Sequence, residues 1–202
     1  MARIDHLAVA ATSLGDGRDH VERVLGVALS EVGHHPYMGT HNRLLGLGPG
    51  LYLEVIAIDP AAPRPDFPRW FDLDRFAGPP RLTNWIAATD DLDADLAAAP
   101  VGAGRATALT RGDFRWRIGI PETGVMPFDN LYPALIQWDG ALHPAQRLPD
   151  RGVRLLALEV TVPDPSAYAA ALPAIDDDRL WILPGPPGLR ARFATPGGEA
   201  WL

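Results

Sequence analysis

A histidine near the start of the chain is the first residue whose surroundings suggest chemistry. His6 lies in a mostly apolar run, residues 3–10, which is followed by turn-forming residues. This pattern predicts a short strand in which His6 shares one face with Ile4 and Ala8, while Asp5 falls on the other face. A histidine placed there can serve as a metal ligand or a base. It can also be a core histidine whose hydrogen bond is satisfied.

Charged residues interrupt two further apolar patterns. Glu54 stands in the strongly apolar stretch 51–58, and Arg115 and Arg117 alternate with aromatic and aliphatic residues. If the aromatic face of that second stretch packs on a helix, both arginines point inward, where a guanidinium suits a carboxylate or phosphate. The alternative is an edge strand whose charged face lies in water.

The amino-acid composition excludes several classes of functional site. The 202 residues carry a net charge of −7 and contain no lysine and no cysteine. Schiff-base chemistry, a P-loop lysine, disulfides, thiolate zinc sites and a cysteine nucleophile are therefore excluded. The acidic balance argues against nucleic acid as a partner. No apolar run reaches the ~20 residues of a membrane span and the N-terminus has no signal-peptide pattern, so we expect a soluble cytoplasmic protein.

The elements that must position these residues occur in a repeat. The first module, residues 1–58, predicts the order β-α-β-β-β, with strands at 3–10, 27–32, 42–47 and 51–58 and a helix at 16–25. The pattern restarts at an offset of 84 − 6 = 78 over residues 82–140, which sets Asn84 opposite His6 and Gln137 opposite Glu54. A third, clipped copy is expected in 146–202. Between the modules, residues 59–81 hold six prolines but also several aromatic residues, which predicts a packed excursion with a short helix rather than a linker.

The motifs themselves resemble a known family. They are Ile4-Asp5-His6-Leu7, His35-Pro36 with Gly39-Thr40 and Asn42-Arg43-Leu44, Leu53-Glu54-Val55-Ile56, Arg115-Trp116-Arg117, and Ile136-Gln137-Trp138 followed by His143-Pro144. Together they resemble the glyoxalase-like domain proteins of the vicinal oxygen chelate superfamily, which includes glyoxalases, bleomycin-resistance proteins and dioxygenases. The resemblance implies an α+β fold with curved mixed sheets around a cup-shaped cavity. It places a glyoxalase-like domain at residues 1–145, with the shortened third module, 146–202, packed on it.

The resemblance also implies a site. Family metal enzymes take ligands from the first and last strands of each module, which here gives His6 and Glu54 as catalytic residues and metal ligands. The second module offers only the amides Asn84 and Gln137, which are weaker ligands, so the expected cofactor is one divalent metal ion or none. Expected substrate-binding residues are Thr40, Asn42, Tyr52, Asn84, Arg115, Arg117 and Gln137. For His34, His35 and His41 we expect turn and surface roles rather than a second metal cluster.

Two functions stay open at this point. The first is a glyoxalase-like enzyme, of lyase, isomerase or dioxygenase type, that acts on a small oxygenated, anionic molecule in the cup. The alternative is a metal-free protein of the bleomycin-resistance type that binds or sequesters a small molecule. Either function implies a small-molecule partner, and the modules could pair within one chain or across a homodimer.

Overall fold

The computed structural model describes residues 1–202, which form twelve strands and three α-helices. The first module contains β1 (Arg3–Ala10), α1 (Leu14–Leu25), β2 (Gly33–His35), β3 (Thr40–Gly46) and β4 (Tyr52–Ile58). The second contains β5 (Arg81–Ala88), α2 (Leu92–Ala98), β6 (Arg105–Arg111), β7 (Phe114–Ile120) and β8 (Ala134–Trp138). The C-terminal part contains β9 (Arg154–Val162), α3 (Pro165–Ala171), β10 (Leu180–Pro184), β11 (Gly188–Thr195) and β12 (Gly198–Trp201). None of the helices has the length and apolar character needed to span a bilayer.

The two modules form one curved, mixed sheet with the strand order β2-β3-β4-β1-β5-β8-β7-β6. In each module the first and last strands pair in parallel, and the antiparallel pair β1–β5 joins the halves. An offset of 78 makes His6, Leu7 and Ala8 equivalent to Asn84, Trp85 and Ile86. In the strand pair His6 lies opposite Ile86, Leu7 opposite Trp85 and Ala8 opposite Asn84, so the pairing is symmetric about Leu7 and Trp85. The offset of 78 read from the sequence is therefore confirmed for the central strands.

Each central strand carries a β-bulge, which corrects one prediction. The register of β1 shifts between Ile4 and His6, so that Asp5 is the extra residue. Ile4 consequently packs with Leu7 in the outer core, and Asp5 turns toward the same side as His6, where the two side chains bond. Alternation alone placed Asp5 on the opposite face. A bulge re-aims a side chain in this way because it inserts one residue into the two-residue repeat.

The outer face of the sheet is covered by α1, α2 and the C-terminal strands, which share one hydrophobic core. Helix α1 begins at the N-cap Ser13, whose hydroxyl accepts from the backbone N–H of Asp16, and ends at Gly26 in the left-handed conformation. Gly17 lets this helix lie directly on β4, since a Cβ there would stand 2.5 Å from Val55 Cγ1. One face of β4 therefore packs against α1, and the other face of β4 points toward the cavity.

The excursion at residues 59–81 is packed, as predicted, and covers the inner face of the sheet. It holds a 3-10 turn at Trp70–Asp72 in place of the expected helix. Trp70 and Phe71 are buried there among inner-face residues. Arg69 anchors the segment through Asp74 and the carbonyl of Met38. The predicted strand at 27–32 is wrong, because only Ser30 of that stretch bonds to β3, at Leu44, and the edge strand forms later, at β2.

The C-terminal strands make a separate sheet with the order β10-β9-β11-β12. Its elements follow the module order β-α-β-β-β, but the strand that pairs in parallel with β9 is β10, directly after the helix. In both other modules the parallel partner is the last strand. The Tyr168 hydroxyl fastens this part to the second module by donating to the carbonyl of Leu131. The division of the chain at residue 145 stays a prediction.

Candidate active site

His6 and Asp5 form a buried dyad at the centre of the curved sheet. His6 Nδ1 lies 2.6 Å from Asp5 Oδ1, and both side chains are almost fully buried. Burial by itself would raise the pKa of Asp5, but hydrogen bonds from His143 and His6 hold that pKa well below its usual range. An ionised carboxylate can only accept, so His6 Nδ1 is the donor in this hydrogen bond. In the neutral form of the ring, Nε2 then carries a free lone pair.

Glu54 faces that lone pair from the neighbouring strand. Its Oε2 lies 3.8 Å from His6 Nε2, which is too far for a hydrogen bond between them. Its other oxygen, Oε1, accepts a hydrogen bond of 2.6 Å from Asn42 Nδ2. The Asn42 side chain fits in turn because residue 33 is glycine, where a Cβ would stand 2.5 Å from Asn42 Oδ1. Two proton acceptors, each oriented by its own partner, thus face one small space.

The remaining polar wall is supplied by His35 and Arg111. His35 Nδ1 lies 3.2 Å from the Thr40 hydroxyl, and its Nε2 lies 3.3 Å from Arg111 Nη1. Burial, assisted by the neighbouring Arg111 cation, lowers the pKa of His35 to about 4, so this imidazole is neutral at physiological pH. Arg111 is therefore the cation that faces Glu54 across the cavity.

Aromatic side chains close the cavity around these groups. Tyr52 stacks on His6 at 4.4 Å between ring centroids. Burial, together with the carboxylates of Asp5 and Glu54, raises the pKa of the Tyr52 phenol well above its ordinary value, so the ring stays neutral. The other aromatic walls are Trp70, Phe71, Trp116 and Trp138.

The space left inside measures about 30 Å³, room for an ion or one or two water molecules. A larger cleft of about 320 Å³ adjoins it. This cleft lies between the two edges of the sheet, where the turn after β2 faces β6, and it shares His35 and Trp116 with the inner cavity. Pro36, Tyr37, Met38 and Leu109 make it largely apolar. A ligand that reached His6 through this cleft would present one polar end to the dyad and an apolar body to the mouth.

Asn84 and Gln137, expected to complete the site, do not do so. Asn84 is buried, and its amide is paired with Asn130. Gln137 lies on the helix side, where it accepts from the N–H of Leu92 at the start of α2 and donates to the carbonyl of Asp90. The strand register also corrects the alignment, because Ala8 pairs with Glu54 as Ile86 pairs with Ala134. The counterpart of Glu54 is thus Ala134, which has no donor atom.

This donor set decides whether the cavity fits the metal ion that the sequence resemblance implies. Catalytic zinc sites hold three protein ligands. Here His6 Nε2 and Glu54 Oε2 face one another, while His35 Nε2 lies against Asn42 Nδ2 and Arg111 Nη1, each at 3.3 Å. The equivalent positions of the second module are Asn84, already paired, and Ala134. Arg111 adds a positive charge to the same lining. The residues of the cavity therefore do not fit a catalytic metal ion.

The prediction that Arg115 and Arg117 point into the cup is wrong. The aromatic face of β7 lines the cavity instead, with Trp116 and Ile118 buried in the inner core. Arg117 Nη1 lies 2.8 Å from Asp93 on α2, its Nη2 donates to Gln137, and Arg115 is exposed. The strand has this orientation because large aromatic rings gain more from burial between the sheet and the excursion than from the thin cover of the short helix α2.

Sequence reasoning missed Arg111, His143 and the role of Asp5. Asp5 Oδ2 accepts hydrogen bonds from Trp138 Nε1 at 2.8 Å and from His143 Nε2 at 3.0 Å. His143 lies 138 residues from Asp5 along the chain, so no local pattern could have joined them. For Arg111 the signal was present, since it continues the alternation of β6 on the same face as Leu109, which is buried in the inner core.

Three residues on the outside of the sheet also lie together. His34, His41 and Asp59 each offer a ligand atom within 4.8 Å of the others, close enough to hold a metal ion. For His34 and His41 the expectation of turn and surface roles stays a prediction. His35, between them in sequence, lies on the inner face as described above.

A family model described as a glyoxalase-like domain matches residues 4–175. The chain belongs to the glyoxalase-like domain family. The match extends beyond residue 145, over β9 and α3. No curated protein matches the sequence.

Several solved structures are similar to this glyoxalase-like protein. A hypothetical protein from Staphylococcus aureus has a TM-score of 0.60 at 13% identity, covering 92% of this chain and 86% of that one. The methylmalonyl-CoA epimerase of Mycobacterium tuberculosis has a TM-score of 0.43 at 19% identity, covering 69% and 88%. A variant of the Streptomyces coelicolor methylmalonyl-CoA epimerase, in complex with 2-nitronate-propionyl-CoA, has a TM-score of 0.45 at 16% identity, covering 70% and 96%. The likeness to the Staphylococcus aureus protein, at 13% identity, concerns the fold alone.

Proposed function

We propose that this glyoxalase-like protein is a metal-independent isomerase or lyase that removes a proton from a carbon next to a carbonyl. The substrate is a small oxygenated anion. The observation that carries the proposal is the arrangement of Asp5, His6 and Glu54, in which an oriented imidazole and a carboxylate face one space 3.8 Å apart. Proton abstraction needs a base with a free lone pair at the cavity, and His6 Nε2 meets that requirement.

Each of the three residues has its own role in the proton transfer. His6 Nε2 takes the proton from the substrate carbon, and Asp5 stabilises the imidazolium that forms, as the carboxylate does in other Asp–His pairs. Glu54 accepts the proton of the hydroxyl on that carbon and gives it to the former carbonyl oxygen, which becomes a hydroxyl. Return of the proton from His6 to the former carbonyl carbon then gives an isomer. A lyase product forms instead when a leaving group departs from the carbanion with its bonding electron pair and takes the proton held by His6.

Two groups offset the negative charge of the substrate. Arg111 lines the cavity and binds the substrate anion, the role that the sequence predicted for Arg115 and Arg117. The buried indole N–H of Trp70, which has no hydrogen-bond partner, is available as a donor to a substrate oxygen. The dioxygenase part of the original expectation would need a metal centre, and the donor set of this cavity argues against one. A cytoplasmic location and a homodimer remain part of the proposal.

The test is solvent exchange. The protein is mixed in D₂O with a panel of 2-oxo acids, 2-hydroxy acids and α-hydroxy aldehydes, and loss of the α-proton signal is followed by NMR. We expect exchange by the wild type, with a fall of about 10²–10⁴-fold in His6→Ala and Glu54→Gln, the usual contribution of a general base. Arg115→Ala is the matched control, since this exposed residue lies outside the cavity. Exchange at the wild-type rate in both cavity variants contradicts the proposal.

The second candidate is a binding protein without turnover. The observation that favours it is the aromatic wall formed by Tyr52, Trp70, Phe71, Trp116 and Trp138, a surface suited to holding a flat ligand. Thermal-shift measurements on the same panel, extended with aromatic acids, separate the two functions. A compound that raises Tm and is never exchanged or converted supports binding, and a compound that is both bound and exchanged supports the enzyme.

A further inference from the structure

The outer face of the β2–β3 hairpin carries a group of ligand-type side chains that the proposed function does not use. His34 pairs with His41 across the two strands, and Asp59 directly follows β4, the next strand of the sheet. Side chains alternate along a strand, so His34 and His41 point away from the cavity that their neighbours His35 and Asn42 face. The three residues are therefore brought together by strand register on the side of the sheet opposite His6.

The distances suit a metal ion. His34 Nδ1 lies 2.8 Å from Asp59 Oδ2, and His41 Nδ1 lies 4.0 Å from Asp59 Oδ1. Zinc bonds of 2.0–2.2 Å in tetrahedral geometry put neighbouring ligand atoms about 3.3 Å apart. The two distances end on different oxygens of Asp59, and one ligand atom from each of the three residues lies within 4.8 Å of the others. Side-chain rotation can therefore bring one atom of each residue onto a single ion.

The hydrogen bonding of His41 points the same way. The His41 side chain makes no hydrogen bond to the protein, since its Nδ1 is 4.0 Å from Asp59 Oδ1 and its Nε2 is buried without a partner. Its Nδ1 is therefore available to an ion held by His34 and Asp59.

We propose that His34, His41 and Asp59 bind one divalent transition-metal ion, of the Zn²⁺ type, on the outer edge of the sheet. Two imidazoles and one carboxylate are ligands that suit zinc and its neighbours rather than calcium or magnesium. The His34 side chain is 59% exposed, so the remaining coordination positions are open to water. The ion clamps the hairpin to the end of β4 and so fixes β2, the edge strand that carries His35 into the cavity.

Zinc binding tests the proposal on the full chain. Protein stripped with a chelator is dialysed against Zn²⁺, and zinc per chain is measured for the wild type, His34→Ala, Asp59→Asn, the surface control His20→Ala and the cavity control His6→Ala. We expect one zinc per chain in the wild type and in both controls. Affinity should fall by more than about 100-fold in His34→Ala and Asp59→Asn, since loss of an outer partner alone costs 10–100-fold.

A second measurement separates lost binding from lost folding. Zinc should raise the Tm of the wild type and of His20→Ala but not of His34→Ala, because an ion that binds only the folded state stabilises it. His34 is mostly exposed, so the metal-free Tm of His34→Ala should match the wild type. The proposal is overturned if the wild type takes up no zinc, if His34→Ala and Asp59→Asn bind it as the wild type does, or if only His6→Ala loses it.

Discussion

The two modules share one topology but present different chemistry to the cavity. The first module contributes His6, His35, Asn42 and Glu54. Apart from Arg111 at the end of β6, the corresponding face of the second module is formed by apolar side chains that include Ala134, Ile136, Ile118 and Trp116. Asn84, the symmetry mate of His6, pairs with Asn130. Strand pairing depends mainly on the backbone, so one half of a symmetric sheet can carry the polar groups while the other supplies the wall that excludes water. The asymmetry also explains why four metal ligands are not assembled.

The largest loss in the free energy of unfolding should come from substitutions between β1 and β5, where the two modules join. Trp85 is fully buried at the symmetry point of β1 and β5, and its indole N–H donates to the carbonyl of Leu131. Trp85→Ala should lower the free energy of unfolding by about 3–5 kcal/mol, and Leu7→Ala by about 2–5 kcal/mol. Urea denaturation measures both.

The exposed Val101 provides the control for this pair, since Val101→Ala should leave stability unchanged. Both junction variants should still unfold in a single transition. Separate transitions for the two modules in Trp85→Ala would contradict the view that one sheet unites them.

A smaller effect on the free energy of unfolding should come from His35, in the polar first module, when the pH is lowered. His35 has a pKa of about 4 in the folded protein and about 6.5 when unfolded. The unfolded chain therefore binds the additional proton between these values, and stability should fall by about 3 kcal/mol as the pH drops from 7 to 4. In His35→Gln, whose amide does not titrate, this part of the loss should disappear.

Denaturation curves at several pH values between 4 and 7 measure the slope. His20→Gln, on the outer surface of α1, should change the slope much less than His35→Gln. An unaltered slope in His35→Gln would show that His35 is not held neutral by burial.

The smallest loss in the free energy of unfolding should come from substitution of Arg117, on the outer face of the second module. The contact of Arg117 with Asp93 is exposed, and such pairs contribute about 0–1 kcal/mol. Arg117→Ala should lower stability by that amount at most and leave ligand-induced shifts in Tm unchanged. The comparison with Arg111→Ala, which removes the cation of the cavity, sharpens the assignment. If Arg117→Ala abolishes the binding of a ligand and Arg111→Ala does not, the assignment of Arg111 to the cavity and of Arg117 to the outer face is wrong.

The sequence by itself determined the repeat, the α+β class and the position of His6 and Glu54 in their strands. Turn signals, hydrophobic periodicity and the offset of 78 are local properties, readable along the chain. Even the packed excursion was predictable, because its aromatic residues would be costly to leave in water.

Only the tertiary structure decided which face of β7 turned inward and what surrounded the dyad. Alternation fixes that Trp116 and Arg117 lie on opposite faces, but the packing of the excursion against the sheet selects the one that is buried. The bulge at Asp5, the contact of His143 from 138 residues away and the meeting of His34 with Asp59 arise from register and long-range pairing. Those energies depend on residues far apart in sequence, and no local pattern encodes them.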